Sequence, residues 1–176
     1  AEELANEKLL FTVEAPSTDL YEFFFVKNNG DVLHYQTGDT IPASQLVIRS
    51  RDPTVPYQFS TDDDNVTLFI HAWSTSGVEL PLSVGSAEQI LIDQQYSLLF
   101  VASFFTILVL CLIAAVSLYL VFRDLNFAGY ALFFSSALIF FLAQTGLGKF
   151  ILWPESETIN SRLVYVSGCF MVISLC

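Results

Sequence analysis

From Leu98 to Phe122 the sequence runs for 25 residues without a charged side chain. A helix needs about 20 apolar residues to cross a hydrocarbon core of about 30 Å, so this run is long enough to span with some tilt. It stops at Arg123-Asp124, and a second uncharged stretch follows from Asn126 to Gly148. A charge at the centre of a membrane helix costs roughly 2.5–3.5 kcal/mol, which disfavours one continuous helix through the pair. The two charges instead mark the water-facing tip of a helical hairpin. A third apolar run begins at Leu163 and is still running at Cys176. A terminus in lipid would strand a carboxylate and several carbonyls, so the sequence is expected to be part of a longer one.

The charge is divided unevenly along the chain. Residues 1–93 hold fifteen acidic and four basic side chains, a net of −11, whereas residues 94–176 hold three of each. Apolar residues make up 53% of the whole and charged residues 14%, well below the roughly 25% of an ordinary globular chain. This is the signature of a membrane protein with a soluble, acidic N-terminal domain. Phosphate binding needs clustered Lys and Arg, so the acidity argues against nucleic acid or anionic lipid as a partner, and a solvated acidic surface is the plainer reading. Cys111, Cys169 and Cys176 all lie in apolar runs and read as small packing residues. The opening "AEELANEK" lacks the basic start and apolar core of a signal peptide.

The expected organisation is a β-sandwich at 1–93, a first span at 96–122, a short cytoplasmic turn at 123–126 and a second span at 127–149. A periplasmic loop at 150–161 and the start of a third span at 162–176 follow. An exported acidic domain ahead of the first span puts Arg123 on the cytoplasmic side. Trp153 and Pro154 suit an interfacial loop. Small residues four apart, Cys111/Ala115 and Ala131/Ser135, allow close helix approach and pairing of two chains through the spans. Gln144, strongly polar near the end of the second span, reads as an interhelical hydrogen-bond donor or, alternatively, a relay group.

Before residue 93 the signals are those of strands. "LYEFFFVKNNGDVLHYQTGD" sets two β-rich runs around Asn29-Gly30, which suits a type I′ hairpin. "NVTLFIHAW" alternates, with Val66, Leu68, Ile70 and Ala72 on one face and Thr67, Phe69, His71 and Trp73 on the other. "GVELPLSV" contains a proline and suits an edge strand. No segment shows a convincing amphipathic helical period. The fold class is therefore mixed: an all-β sandwich or jelly roll, followed by membrane helices. About ninety residues without a disulfide bury only a modest core, so further strands upstream are expected.

Candidate binding residues follow from that pattern. His71 and Trp73 share a face on which Tyr35 and Tyr57 are also expected, and aromatic rings beside hydrogen-bonding groups suit sugars. The competing reading places Trp73 in a second side of the core. Arg49 and Arg51, two apart in "QLVIRSR", are expected on one strand face, either to clamp an anion or to pair with nearby aspartates. Asp62, Asp63 and Asp64 form a weak alternative Ca²⁺ loop without EF-hand spacing, and a solvated acidic turn competes with it. Asn65-Val66-Thr67 matches a glycosylation sequon. Nucleophile elbow, P-loop, paired-His and dinucleotide signatures are absent, so no catalytic residue and no cofactor is expected.

The order "TGDTIP", Arg49/Arg51, "YQF", "LFIHAWSTSGVELPLSV", then "FRD", "AGYALFF" and "LWP" resembles the bacterial seven-transmembrane receptors with diverse intracellular signalling modules, the 7TMR-DISM family. The resemblance runs from about Leu9 to Cys176. It implies a periplasmic jelly-roll sensor for carbohydrates or other small ligands, anchored in the inner membrane and surrounded by lipid. It further implies coupling to a cytoplasmic kinase or cyclase outside this sequence. The alternative is an envelope or transport subunit that carries an exported β domain without signalling.

Overall fold

The computed structural model describes residues 8–60, 65–75, 77–156 and 159–174. Six strands come first: β1 (Lys8–Val13), β2 (Leu20–Lys27), β3 (Val32–Thr37), β4 (Thr54–Gln58), β5 (Val66–Trp73) and β6 (Leu82–Ser86). They form two three-stranded sheets, ordered β4-β1-β6 and β3-β2-β5, with every pair antiparallel. We call these sheet A and sheet B. The expected sandwich is present. The described residues supply six strands, against the eight of a jelly roll.

Alternation explains the core. Phe11, Val13, Val55 and Tyr57 of sheet A meet Tyr21, Phe23 and Phe25 of sheet B. The Phe11 and Phe25 rings touch edge-on at 5.1 Å, and Tyr57 stacks on Phe25 at 4.5 Å. Val66, Leu68, Ile70 and Ala72 of β5 pack against this cluster, as their spacing predicts. Such aromatic pairs add about 0.5–1.5 kcal/mol each beyond their burial. On the opposite face of sheet A, buried Thr12 and Thr54 bond across the strands at 3.1 Å.

Several local expectations are corrected. The Asn29-Gly30 hairpin is not type I′, because only Gly30 has positive φ, 89°. Gly30 N–H donates to Lys27 O, and Lys27 N–H to Asp31 O, so the loop is a tight turn closed by a left-handed glycine. Asn29 favours this form by accepting from Asp31 N–H at 2.9 Å. The segment "QLVIRSR" is not a strand. Pro42 and Pro53 bracket it, a 3₁₀ turn (Ala43–Gln45) opens it, and Ala43 N–H donates outward to Pro154 O.

Helix α1 (Ala87–Phe122) starts directly after β6, six residues before the expected end of the β domain. Ser86 and Gln89 close a capping box there, which satisfies two helix-end groups at once. Arg123 in the left-handed region, φ 56°, ends α1, and Asp124 caps α2 (Leu125–Gln144). The hairpin tip is thus the Arg123-Asp124 pair itself. The second helix stops at Gln144 rather than 149, because Gly146 turns the chain with φ 72°. One π-helical turn (Gly148–Leu152) leads to α3 (Ile159–Ile173). Helices α1 and α2 are each long and apolar enough to cross a membrane, and only 6% and 11% of their most apolar windows is buried. Core helices of a soluble protein would be covered; these are not. Ala115, Ser136, Ala137 and Ala143 are the small buried residues where the helices approach.

Candidate functional site

Two regions carry polar chemistry. The first is the outer face of sheet B. Cross-strand register sets Glu22 beside Gln36 and His71, Phe24 beside His34 and Phe69, and Leu20 beside Trp73. His71 Nδ1 lies 2.9 Å from one Glu22 oxygen, while Gln36 Nε2 donates to the other at 2.9 Å. The His34 ring stacks on Phe24 at 4.4 Å and turns Nε2 to within 3.4 Å of Glu22. The His71 and Gln36 hydrogen bonds hold the Glu22 carboxyl below its usual range. Phe69 and Trp73 are 59% and 52% exposed. Trp73 is therefore not part of a second core, and the face presents rings and hydrogen-bonding groups together.

Tyr57 does not join it. The alternation of β4 turns Tyr57 inward with Val55, leaving it 2% exposed. Tyr35 also faces inward, against Phe25. The arginines lie elsewhere as well. Arg51 forks onto Asp52 at 3.3 and 2.8 Å and donates to Ser97 of α1 at 3.0 Å. Arg49 stands over the Phe150 ring, 5.8 Å from its centroid, and donates to Phe150 O at 3.4 Å. Thus the structure brings His71 and Trp73 together and sends Arg49 and Arg51 to the helices. Asp62, Asp63 and Asp64 lie outside the described residues. Among the described residues no three His, Cys, Asp or Glu side chains are grouped to hold a metal ion. Gln144 is exposed at the end of α2, beside a cleft of about 350 Å³.

The second region was not foreseen. It is a buried seam between sheet B and the α2–α3 connection. Lys149 Nζ donates to Gly38 O at 2.8 Å and to Asp39 O, and lies 3.9 Å from Asp39 Oδ1. Asn160 Nδ2 donates to Asp39 Oδ2 at 3.2 Å and to Ala143 O at 2.8 Å. Asn160 Oδ1 accepts from Trp153 Nε1 at 3.2 Å. Burial, partly offset by Lys149, raises the Asp39 pKa, and burial lowers that of Lys149. Asp39 Oδ1 accepts no hydrogen bond, consistent with that direction. Gly38, φ 133°, is required here because a Cβ would sit 2.6 Å from Asp19 O.

The seam continues into sheet B. Asp39 N–H donates to Thr18 O and Thr40 N–H to Asp19 O. The Asp19 carboxylate accepts from Thr75 N–H at 2.6 Å and Thr75 Oγ1 at 2.9 Å. Thr75 lies two residues beyond Trp73, so a hydrogen-bonded route links the end of β5 to Lys149. Apart from the Trp153–Asn160 bond, sequence-distant contacts build the seam. The local hint was a lone Lys in an apolar stretch.

These features define a membrane protein whose N-terminal β-sandwich stands on a helical hairpin. Residues 2–86 match the family model described as 7TMR-DISM extracellular 2, and the sandwich belongs to that family. The N-terminal domain is accordingly extracellular. No curated protein and no solved structure matches the chain.

Proposed function

We propose that the chain is the sensing and membrane-entry portion of a bacterial signal-transduction receptor of the inner membrane, with its β domain in the periplasm. A carbohydrate or similar small ligand stacks on Trp73 and Phe69 and bonds to His71 and Glu22. The chain itself binds and relays. Catalysis belongs to a cytoplasmic kinase or cyclase joined to further helices, and two chains pair through their spans.

The observation that carries this reading is the way the sandwich is attached. Sheet A runs into α1 with no linker, since β6 ends at Ser86 and α1 begins at Ala87. Sheet B is held to the α2–α3 connection through Asp39, Lys149 and Asn160. A ligand that favours one arrangement of the two sheets thereby favours one arrangement of the helices, which is a population shift with a defined mechanical output.

The test uses the full chain in lipid nanodiscs. A panel of soluble saccharides is titrated while tryptophan fluorescence is followed, with Trp73→Phe as the control. Saturable quenching that disappears in the variant supports the reading. A panel without any saturable response sinks the carbohydrate assignment. Reading the parent frame past Cys176 tests the output: a stop, or a transporter-like continuation, would favour the non-signalling alternative.

A further inference from the structure

The cleft beside Gln144, of about 350 Å³, opens between the sandwich and the outer ends of α2 and α3. That volume falls within the range of small-molecule sites, about 300–1,000 Å³. Three segments of the sandwich supply carboxylates to it. Glu14 and Asp19 come from the β1–β2 connection, Asp39 from the turn after β3, and Glu79 from the β5–β6 connection. No Lys or Arg is among the described residues that line it. A cleft lined by one sign of charge focuses its field and draws in cations. The rim is held in place: Tyr21 Oη donates to Glu79 O at 2.5 Å, and Ser83 Oγ donates to Glu14 at 2.7 Å.

Acidity alone would mark only a solvated surface; the buried member of the set, Asp39, says more. Its Oδ1 accepts no hydrogen bond although the residue is buried. Asn160 serves only Oδ2, and the Lys149 ammonium, which donates to two backbone carbonyls, stays 3.9 Å from Oδ1. Asp19, by contrast, is satisfied by Thr75. A buried acceptor left unmet is costly, and an N–H donor in the cleft relieves that cost. Among the described residues no three His, Cys, Asp or Glu side chains are grouped to hold a metal ion. The complementary cation therefore carries its charges apart, on an organic frame. The Tyr165 ring in the wall suits an ammonium, and Pro16 and Val164 suit methylenes between two such groups.

We propose that this cleft binds an elongated aliphatic polyamine, with one ammonium bonded to Asp39 Oδ1 and another paired with Glu79 and Glu14 at the rim. The methylene chain lies against Pro16 and Val164, beside the Tyr165 ring. Asp39 is also the carboxylate that Lys149 and Asn160 hold, so the amine adds a contact at the joint between sheet B and the α2–α3 connection. This goes beyond the sensor reading and needs no ligand on the outer face of sheet B.

Isothermal titration of the full chain in phosphatidylcholine nanodiscs tests it, with empty nanodiscs subtracted. The probes are spermidine, putrescine, butylamine (putrescine with one ammonium removed) and Mg²⁺. Spermidine and putrescine are expected to bind saturably, and butylamine about tenfold more weakly than putrescine, a loss typical of a charge-assisted hydrogen bond. Asp39→Asn should weaken spermidine by about tenfold, and Glu79→Gln, in an exposed segment, by about threefold. Asp31→Asn removes the same charge from the exposed β2–β3 turn, outside the cleft, and should change nothing. Absence of saturable binding would overturn the site. So would displacement by Mg²⁺ at equal concentration, or an equal loss in Asp31→Asn, since either reduces the effect to the diffuse charge of the domain. Butylamine as tight as putrescine would overturn the elongated ligand, and competition by phosphatidylethanolamine placed in the nanodisc would assign the cleft to a lipid headgroup instead.

Discussion

Replacing Lys149 by Met tests the seam at its most demanding point. The ammonium is bonded to two backbone carbonyls and faces a carboxylate whose side chain is 2% exposed. Its removal leaves Asp39 O without the ammonium, Gly38 O with only the Ile41 N–H at 3.4 Å, and the Asp39 charge buried without a counter-ion. Breaking a buried pair from one side costs about 3–5 kcal/mol. Asp39→Asn is far milder, about 0–1 kcal/mol, because both carbonyls still hold the ammonium and Asp39 Oδ1 accepts no hydrogen bond to begin with. The double variant should recover at least about 1–2 kcal/mol of the Lys149→Met loss, since no charge is then stranded.

Hydrogen exchange of the full chain in nanodiscs reads this locally. Ala43 N–H, bonded to Pro154 O at 3.0 Å, crosses the seam. Its protection should fall roughly a hundredfold or more in Lys149→Met, at about 1.4 kcal/mol per decade. The amides of Phe23 and Phe25 in the centre of sheet B should be unchanged. Equal losses in the two single variants, or simple addition in the double, would refute the argument that a stranded charge dominates.

Three further outcomes follow from packing and charge. Gly148→Ala places a methyl 2.1 Å from Trp153 Cζ2, so Trp153 must leave Asn160 at a cost of about 1–3 kcal/mol, visible as a red-shifted tryptophan emission that Trp153→Phe abolishes. Tyr57→Ala should destabilise the sandwich by about 3–5 kcal/mol in denaturant titration, whereas Trp73→Ala, at a residue 52% exposed, should abolish ligand binding with less than about 1 kcal/mol lost. The Asp39 pKa is raised on folding by burial, so its contribution is full below the ordinary carboxylate value of about 3.9 and is lost as pH rises through the folded value. Thermal melts should accordingly show wild type losing stability relative to Asp39→Asn on going from about pH 4 towards neutrality, and parallel curves would contradict the direction of that shift.

The hairpin and the strands were legible because their signals are local. An uncharged run broken by Arg123-Asp124 has one low-cost solution in lipid, and the alternation of β5 fixes which of its residues face inward. The seam was not legible, since Asp39 and Lys149 are 110 residues apart and nothing near either names its partner. One error came from reading a period without its neighbours. Arg49 and Arg51 share a parity that suggests a strand face, but Pro42 and Pro53 remove the ladder on both sides. The reverse holds for α1: Ser86-x-x-Gln89 is a helix-start signal in the sequence, hidden because the β domain was expected to end in strand and loop. Tyr57 was assigned outward for its chemistry, although its spacing from Val55 already put both on one face.

The two attachments divide the sandwich between the helices. Sheet A leads into α1 through β6, while sheet B holds the α2–α3 connection through the turn after β3. Between the sheets lies an interlocked aromatic layer, Phe11 on Phe25 and Phe25 on Tyr57. Close-packed interiors do not deform smoothly; they exchange between discrete packings. The ligand proposed for the outer face of sheet B would have no contact with α1. It would act on α1 by shifting sheet B over this layer, and the same shift would carry Asp39, and with it Lys149 and Asn160, past α1. The Arg123-Asp124 tip joins α1 and α2 with only two residues between the helices, too short to absorb a displacement by uncoiling. On the proposed sensor reading, motion at the outer end of the hairpin would reach the inner end as a change in the angle between α1 and α2, the form of output that a helix-coupled partner could read.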